Sequence, residues 1–479
     1  MNLPWVKKKK NSFELVLVIC PAWGVIHPPV GISYLKNFLS SYGINVKCID
    51  LNLELYRSFP EKKYWNLNYP EYFINSKLFN KYIFPNLELF IHIWTKKILS
   101  YNPKAVGFSL FMSNINASLI LAKQLKKLAP NISLIAGGPE VTRAKRIFID
   151  KVKNISALID KTIFNHIFDI LVLGEGEETL LEIMMRIKKN RDLSSLKGTI
   201  SISKENYKLN APRERISNLD KLPPPNYCDY HLENYTQKAL PITTSRGCIN
   251  RCTFCADSPL WKTYRYRSAP KILEEIQLLI KEHNITEFEI TDSTFNGDIK
   301  RLHYLCELII TAKINLRWSA KVTLRKEMDL NLLKKMNTAG CFSLSYGLES
   351  GSQKILDDMK KNTNINEAKR IIRQTYEAGI KANCFFIIGY PTETEKDFQL
   401  TLDFIKENAE FIFSFNQITG CHIEDDSYLG LNQDKYGIFF KKDGWHSQES
   451  TPKIRKKRLD AFKELGRALH KHYQCEVQM

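Results

Sequence analysis

The first half of the chain alternates short apolar runs, rich in β-branched residues, with segments in which apolar residues recur three or four positions apart. Such runs are typical of buried strands, and the wider spacing is typical of amphipathic helices. The alternation predicts an α/β domain with a mostly parallel sheet. Predicted strands lie at 14–20, 45–50, 105–109, 133–136 and 169–173, and predicted helices at 31–42, 116–128 and 177–188.

Three stretches interrupt this pattern. Residues 53–99 are aromatic-rich and weakly periodic, so the pattern alone predicts no role for them. Residues 196–208 have the pattern of a hairpin. The prolines that follow, at 223–225, cannot lie inside a helix, because proline lacks the backbone N–H and makes a stiff, extended segment. We therefore expect the main domain boundary at this proline-rich segment.

The alternation resumes in the second half. Six strand–helix units at this spacing predict a partial or full parallel barrel, in which reactive groups lie in the loops after the strands. After about residue 420 the pattern weakens, and 452–473 predicts a basic terminal helix. Predicted strands lie at 241–245, 287–291, 316–320, 342–347, 382–388 and 411–415, and predicted helices at 270–282, 299–312, 330–338, 367–378 and 395–408.

The charge of the chain changes this picture little. Lysine and arginine exceed aspartate and glutamate by 70 − 51 = 19. An excess of this size is compatible with nucleic acid, an acidic substrate or an anionic membrane surface. Lys, Asn and Ile recur throughout, as at 7–10 and 360–366, so we interpret the excess as a residue bias of the whole proteome.

The N-terminal sequence and the cysteines indicate the cellular compartment of the protein. The lysines at 7–10 and the apolar run 15–20 imitate a secretory signal, but Glu14 and Pro21 bracket the run too closely. No apolar run approaches the roughly 18 residues of a membrane span. The 11 cysteines, an odd number, argue against a disulfide framework. These features predict a soluble cytoplasmic protein.

A cluster of cysteines follows the first strand of the second half. Cys248, Cys252 and Cys255 fall within eight residues, on a loop that begins at Gly247. Three thiolates can converge on one metal centre, and in a four-iron cluster they would leave one iron free for an exogenous ligand. The alternative is structural zinc, with Cys228 as a fourth thiolate, although such sites favour paired two-residue gaps.

The Cys-x-x-x-Cys-x-aromatic-Cys sequence resembles the radical S-adenosylmethionine (SAM) superfamily. The resemblance implies that Cys248, Cys252 and Cys255 hold a [4Fe-4S] cluster whose open iron chelates SAM. One electron then cleaves SAM to a 5′-deoxyadenosyl radical. By the same resemblance, Phe254 packs near the adenine of SAM.

Further motifs of the superfamily occur in the predicted barrel. Arg325 resembles the arginine directed at the SAM carboxylate, and Glu349 lies in a GLESGS turn at 347–352 similar to G-[IL]-E-S-G-S. Asp292, in TDSTF at 291–295, resembles the D-D-x-F form of members with an extra N-terminal domain. Alone, each acidic residue would more often cap a helix or pair with lysine; their order after the cysteines is the signal.

A last motif of this kind begins at Gly389. The sequence GYPTET at 389–394 resembles the G-x-P-G-E-T loop, which implies that Gly389 contacts the cofactor. Thr392 replaces the usual glycine of that loop. A glycine alone would mark an ordinary bend of the barrel.

The first half resembles the cobalamin-binding domain that is fused to many radical SAM enzymes. Its glycine-containing motifs directly follow predicted strands, where glycine allows the backbone to approach a bulky ligand closely. The motifs lie at 28–35, 107–109, 137–140 and 174–179, within a resemblance that covers 13–195.

The axial histidine motif D-x-H-x-x-G of cobalamin domains is absent, and His27 lacks that context. Related radical enzymes bind cobalamin base-off without a protein ligand, which is what we expect here. The alternative is a Rossmann-like scaffold that has lost cobalamin. Candidate cobalamin contacts, any of which could instead be turn or cap residues, are Ser109, Ser113, Asn114, Gly137, Gly138 and Gly176.

The resemblance thus implies an α/β protein: an N-terminal Rossmann-like cobalamin-binding domain, a partial (β/α)6 radical SAM barrel and a short helical C-terminal region. The expected bounds are 13–195 for the cobalamin domain, 196–235 for the hairpin and proline-rich linker, 236–420 for the barrel and 421–479 for the C-terminal helical and substrate region.

The function implied is a cobalamin-dependent radical SAM methyltransferase that acts on an unactivated carbon of a metabolite. Its expected partners are a small-molecule or peptide substrate and an electron donor such as flavodoxin or ferredoxin. One alternative is a non-methylating radical reaction, such as a cyclisation, oxidation or rearrangement.

A function of another class is a basic nucleic-acid-binding protein with a structural metal cluster. Its candidate surface is the YRYR stretch at 264–267, where aromatic and basic residues alternate. That region directly follows the cysteine loop in the radical SAM family, so nucleic acid is not an expected partner.

Overall fold

A computed structural model describes residues 12–65, 70–143, 167–202, 207–469 and 477–478. Contacts divide the chain into two compact units. The first comprises Met1–Ile216 and Leu222–Gln237, and the second comprises Ser217–Lys221 and Lys238–Met479. None of the helices described has both the length and the apolar character that a bilayer crossing requires.

The first unit contains a seven-stranded sheet with the order β2-β1-β3-β4-β5-β6-β7. The first five strands are parallel, which confirms the predicted parallel sheet, and β6 and β7 add an antiparallel hairpin. The strands are β1 Leu15–Ile19, β2 Val46–Asp50, β3 Ala105–Ser109, β4 Ser133–Gly137, β5 Ile170–Val172, β6 Thr199–Ile202 and β7 Tyr207–Leu209.

Strand β1 lies between β2 and β3 in the parallel part. Leu15 pairs with Val46 of β2 and with Ala105 of β3, and all five residues of β1 are buried. A strand covered on both faces has no polar positions to alternate with, so LVLVI is continuously apolar. The main helices around this sheet are Val30–Ser41, Leu51–Ser58, Phe84–Ser100, Ile115–Leu128 and Glu177–Lys188.

The aromatic-rich insertion at 53–99 is mostly helical. Short helices at Glu71–Ile74 and Ser76–Leu78 precede the long helix Phe84–Ser100. Its aromatic side chains, such as Trp65 and Phe73 with ring centroids 5.0 Å apart, join the core of the first unit. The aromatic residues are weakly periodic because they are buried against neighbours in several directions.

Part of the predicted linker belongs to the first unit. Asp229 forms salt bridges with Lys36 at 2.7 Å and Lys47 at 2.8 Å. The hydroxyl of Tyr235 donates to the carboxylate of Asp50 at 2.7 Å. Residues 222–237, called the strap below, are therefore fastened to the first unit by polar contacts.

The second unit contains a parallel sheet with the order β18-β15-β14-β13-β12-β11-β8. Six of its strands alternate with helices, as predicted for a partial (β/α)6 barrel. The strands are β8 Leu240–Ile242, β11 Glu287–Ile290, β12 Arg317–Val322, β13 Cys341–Glu349, β14 Lys381–Ile388, β15 Ser414–Gly420 and β18 Val477–Gln478, and the main helices are Ala269–His283, Ile299–Thr311, Leu330–Thr338, Gln353–Asp358, Ile365–Glu377 and Glu395–Asn408.

Two predicted strands differ from the observed strands by three residues or more at one end or both. The run 241–245 is divided into β8 and a short β9, Ser245–Arg246, which pairs antiparallel with β10, Arg265–Tyr266. The last barrel strand begins at Ser414 rather than at 411. The division of the first run moves the chain out of the barrel sheet directly before the cysteines.

The C-terminal region is helical only in part. It contains the short helix Tyr428–Leu431, a hairpin of β16 Phe439–Lys441 with β17 Gly444–His446, and the helix Pro452–Ala468. The hairpin was not predicted. The final part of the predicted helix, at 470–473, lies outside the described residues.

Candidate functional site

The cysteine loop starts at a position that only glycine fits. Gly247 has φ +86°, and a Cβ there would lie 2.4 Å from the carbonyl oxygen of Thr263. Positive φ and close backbone approach both exclude a side chain. The β9–β10 pairing thus leads the chain from the barrel into the loop that carries the three thiols.

The three thiols lie in a site that is partly shielded from water. Cys252 is buried, and Cys248 and Cys255 are half-buried. Desolvation raises the pKa of the Cys252 thiol and, with the charge of Asp257, raises that of Cys255 to about 12. Without a metal these two thiols are protonated at neutral pH, whereas binding to iron would ionise them.

The donor set fits an iron–sulfur cluster. Thiolates are the ligands that such clusters take, and a cubane spreads its sulfur ligands over separate irons. The Cys248 sulfur lies 2.8 Å from the hydroxyl of Thr294 and accepts the N–H of Asn250 at 3.4 Å. Among the described residues, no three His, Cys, Asp or Glu side chains are grouped so that they could hold a single metal ion.

Thr253, between two of the cysteines, is held from three sides. Its N–H donates to the carbonyl of Met359 at 3.0 Å, and its carbonyl accepts the N–H of Leu429 at 2.9 Å. Its hydroxyl lies 2.8 Å from the Tyr390 hydroxyl, which also donates to the Asp358 carbonyl at 3.0 Å. This group, called the loop clamp below, fixes the cysteine loop to the barrel.

Asp292 lies buried behind the start of the loop. Its carboxylate accepts the N–H of Thr244 at 2.7 Å and the hydroxyls of Thr244 and Ser245 at 2.6 Å. Burial raises its pKa, and the nearby charge of Arg301 opposes that rise. Asp292 therefore holds the chain at Thr244 and Ser245, where β8 leads into β9, and its contact with a cofactor stays a prediction.

Glu349, at the end of β13, is buried and paired. Its carboxylate lies 2.8 Å from the Lys361 ammonium, and both side chains are about one-tenth exposed. Glu349 has φ +73°, and the register of β13 against β14 shifts between Gly347 and Glu349. The backbone irregularity turns the carboxylate toward Lys361.

Arg325 and Phe254 are both half-buried. Arg325 donates to the carbonyls of Asn296 at 3.1 Å and Gly297 at 2.7 Å, and it pairs with Glu327 at 3.0 Å. Phe254 packs against an apolar cluster of the C-terminal region that includes Tyr390 and Trp445.

Gly389, after β14, has φ +79° and lies against the terminal helix. Its N–H donates to the buried carboxylate of Glu393 at 2.7 Å, and its carbonyl accepts the hydroxyl of Ser450 at 2.7 Å. A Cβ on Gly389 would lie 2.3 Å from Cγ of Arg455. The loop at 389–394 is therefore packed by the C-terminal region.

The candidate residues of the first unit lie at the carboxyl edge of its sheet. Ser109 ends β3, Gly137 ends β4, and Gly176 caps the helix Glu177–Lys188. Ser113 donates to the Ala22 carbonyl at 2.8 Å. Gly138 has φ +104°, and a Cβ there would lie 2.6 Å from the Leu110 carbonyl oxygen.

Several residues at these sites were not predicted from the sequence. Thr253 lies within the cysteine loop, and Lys361 and Tyr390 lie beside it. The rings of Trp23 and Phe111, with centroids 3.9 Å apart and planes tilted by 32°, lie after β1 and β3. Trp23 and Phe111 could have been found from the sequence, because each closely follows a predicted strand. No signal marked Lys361, because it lies in the stretch 360–366, whose lysines and asparagines we interpreted as residue bias.

Comparison with known proteins gives one family and several relatives. The family described as the Radical SAM superfamily matches residues 242–405. The uncharacterized methyltransferase PH0819 of Pyrococcus horikoshii is 30% identical over 319 residues, 65% of this chain and 66% of that protein. The anaerobic magnesium-protoporphyrin IX monomethyl ester cyclase of Cereibacter sphaeroides is 26% identical over 64% of this chain and 50% of that protein.

The similarity to one solved structure extends through both units. The radical SAM methyltransferase TsrM from Kitasatospora setae, solved with cobalamin and a [4Fe-4S] cluster bound, has a TM-score of 0.64 at 16% identity. The match covers 90% of this chain and 80% of that chain. The fold is therefore shared, while this chain spans half to two thirds of the length of the two sequence relatives above.

Proposed function

We propose that this chain, which belongs to the radical SAM superfamily, is a cobalamin-dependent methyltransferase that acts on an unactivated carbon of a metabolite. The observation that carries the proposal is the thiol loop at the end of a parallel barrel strand, in a chain whose first unit has a Rossmann-like sheet. The methyltransferase names of two relatives support methyl transfer.

Cys248, Cys252 and Cys255 would hold the [4Fe-4S] cluster, and together with SAM it would supply a carbon-centred radical. The chain's own contribution is to shape and dry the site. The loop clamp holds the loop that carries the thiols, and the apolar cluster against which Phe254 packs would exclude water from the cofactor.

For SAM itself we propose two groups of residues. Phe254 would pack against the adenine and Arg325 would pair with the carboxylate, because each is half-buried and can reach a ligand. Asp292, Glu349 and Gly389 are buried and paired within the protein, so they would act by shaping the walls of the SAM site.

For cobalamin we propose the carboxyl edge of the first sheet. Ligands of open α/β sheets bind outside the carboxyl ends of the strands. The backbone at Gly137, Gly138 and Gly176 would approach the ligand. Ser109 would hydrogen-bond its amides, and Ser113, whose hydroxyl donates to the Ala22 carbonyl, would accept from them. No axial histidine is proposed, so the cobalt would be base-off.

The substrate would be a small molecule or peptide, and a flavodoxin or ferredoxin would supply electrons. Cytoplasm suits these partners and an oxygen-sensitive cluster. Similarity to the cyclase of Cereibacter sphaeroides favours a second candidate, a non-methylating radical reaction on the same barrel.

The test is anaerobic reconstitution with iron, sulfide and hydroxocobalamin, followed by SAM and reductant. We expect 5′-deoxyadenosine from the wild-type chain and none from Cys252→Ala. Cys228→Ala is the matched control, because Cys228 is exposed and outside the loop, and it should retain the product. Zinc bound by four sulfurs, lost in both variants, would contradict the proposal. Failure to bind hydroxocobalamin would remove cobalamin from it and leave the second candidate.

A further inference from the structure

Lys361 is a buried cation that no motif of the chain accounts for. It follows the helix Gln353–Asp358, and its side chain is 9% exposed. Burying an ammonium group costs several kcal/mol unless it is paired. The pairing here is with Glu349 at 2.8 Å, so a complete ion pair is enclosed in the second unit.

The backbone is shaped to accommodate this pair. A Cβ at Gly347 would lie 2.6 Å from Oε1 of Glu349 and 2.9 Å from Nζ of Lys361. The register shift of β13 and the positive φ of Glu349 occur at the same place. Three local features of the backbone therefore coincide at one ion pair.

The pair lies beside the thiols. The Lys361 ammonium is 6.0 Å from the centre of the ring of Phe254, which lies between Cys252 and Cys255 in the cysteine loop. The carboxylate of Glu349, 2.8 Å away, faces the ammonium and stabilises its charged form. The carbonyl of Met359, two residues earlier, holds Thr253 of the same loop.

We propose that Lys361 is a positioning residue whose fixed charge sets the reduction potential of the cluster held by the three cysteines, and that Glu349 restrains it. This inference rests on the proposed function. Each reduction adds one electron to the cluster, from a low-potential one-electron donor, and transfers no proton. A buried cation stabilises the added negative charge, so it makes reduction easier.

The experiment measures the midpoint potential of the reconstituted cluster by anaerobic titration with dithionite, followed by optical and EPR spectra. Lys361→Met should move the potential to more negative values, with a roughly tenfold lower ratio of reduced to oxidised cluster at a set potential, about 59 mV for one electron. Glu349→Gln should move it in the opposite direction. Lys361→Arg should retain the wild-type value.

The matched control is Lys360→Met. It removes the same charge one residue away, from an exposed side chain, and should leave the potential unchanged. The double variant Lys361→Met with Glu349→Gln restores a neutral pair and should return most of the shift. If the unpaired Glu349 prevents Lys361→Met from binding the cluster, the double variant is measured in its place.

The outcomes for the inference and for the proposed function can be distinguished. Equal potentials in all loaded variants, or shifts of one sign in Lys361→Met and Glu349→Gln, would overturn the inference, because a merely structural role predicts no sign reversal. Failure of the wild-type chain to assemble any cluster, measured as iron and sulfide per chain, would instead overturn the proposed function.

Discussion

Gly138 is a residue that the backbone of the first unit requires to be glycine. Its φ of +104° and the 2.6 Å that would separate a Cβ from the Leu110 oxygen leave no room for a side chain. Gly138→Ala should therefore destabilise the first unit even without cobalamin. The backbone conformation alone accounts for about 1–3 kcal/mol.

Thermal unfolding of the cofactor-free chain checks this prediction. Gly31→Ala is the control, because Gly31 is helical and a Cβ there would meet nothing within 4 Å. It should cost no stability. An equal melting temperature for Gly138→Ala and the wild-type chain would be the contrary result.

At the same scale, the thiol ligands and Lys361 differ in how far sequence predicts them. The spacing of Cys248, Cys252 and Cys255 is itself a chemical pattern, so the candidate ligands could be named before the structure. Lys361 is one of many lysines, and its burial depends on Glu349, twelve residues away, and on the missing Cβ of Gly347. Such a pair exists only in three dimensions.

Among the secondary-structure elements, Asp50 joins a helix cap to the strap. Its carboxylate accepts the Leu53 N–H at 2.9 Å, capping the helix Leu51–Ser58, and the Tyr235 hydroxyl at 2.7 Å. Burial raises the pKa of Asp50 to about 6, despite these donors. Because the folded pKa exceeds the ordinary value of 3.8, the stabilisation is complete below pH 3.8 and is lost as pH rises through 6.

Asp50→Asn should therefore gain stability over the wild-type chain as pH rises from 4 to 7.5, by roughly 2–3 kcal/mol at 1.36 kcal/mol per pKa unit. The asparagine can accept from Leu53 and donate to the Tyr235 oxygen. Melting temperatures of both proteins across this range give the measurement, with the exposed Asp434→Asn as control. A difference that is constant with pH would refute the assignment to Asp50.

The loop clamp gives a second prediction for an element. Tyr390→Phe removes the hydroxyl that contacts Thr253 and Asp358, at about 1 kcal/mol per hydrogen bond. The ring stays, so packing is unchanged. We expect the reconstituted cluster to lose iron to a chelator several-fold faster, followed as bleaching of its absorbance.

Tyr428→Phe is the matched change at an exposed tyrosine and should bleach at the wild-type rate. If Tyr390→Phe bleaches no faster than Tyr428→Phe, the clamp does not hold the loop.

Regular elements were largely predictable, and irregular ones were not. Strand β3 has its predicted bounds at 105–109, because a buried parallel strand requires a continuous apolar run. The insertion at 53–99 gave no pattern, because its aromatics pack on one another in many directions. The start of β15 was placed three residues early, because FIFSF at 411–415 is apolar whether or not it is in the sheet.

Across the whole molecule, each proposed cofactor site is built from residues of one unit. The three thiols and the loop clamp belong to the second unit, and the strand-end serines and glycines belong to the first. The two cofactors should therefore be separable by mutation. Cys252→Ala should lose its iron and keep hydroxocobalamin affinity within about twofold, measured by spectral titration.

The reciprocal variant is Ser109→Phe, which places a bulky ring at the end of β3 in the first unit. It should lose hydroxocobalamin while it keeps iron and still forms 5′-deoxyadenosine from SAM. Melting temperatures establish that both variants are folded. If either folded variant loses both cofactors together, the sites are not independent, and cobalamin binding would then depend on the metal-loaded second unit rather than on the parallel sheet of the first.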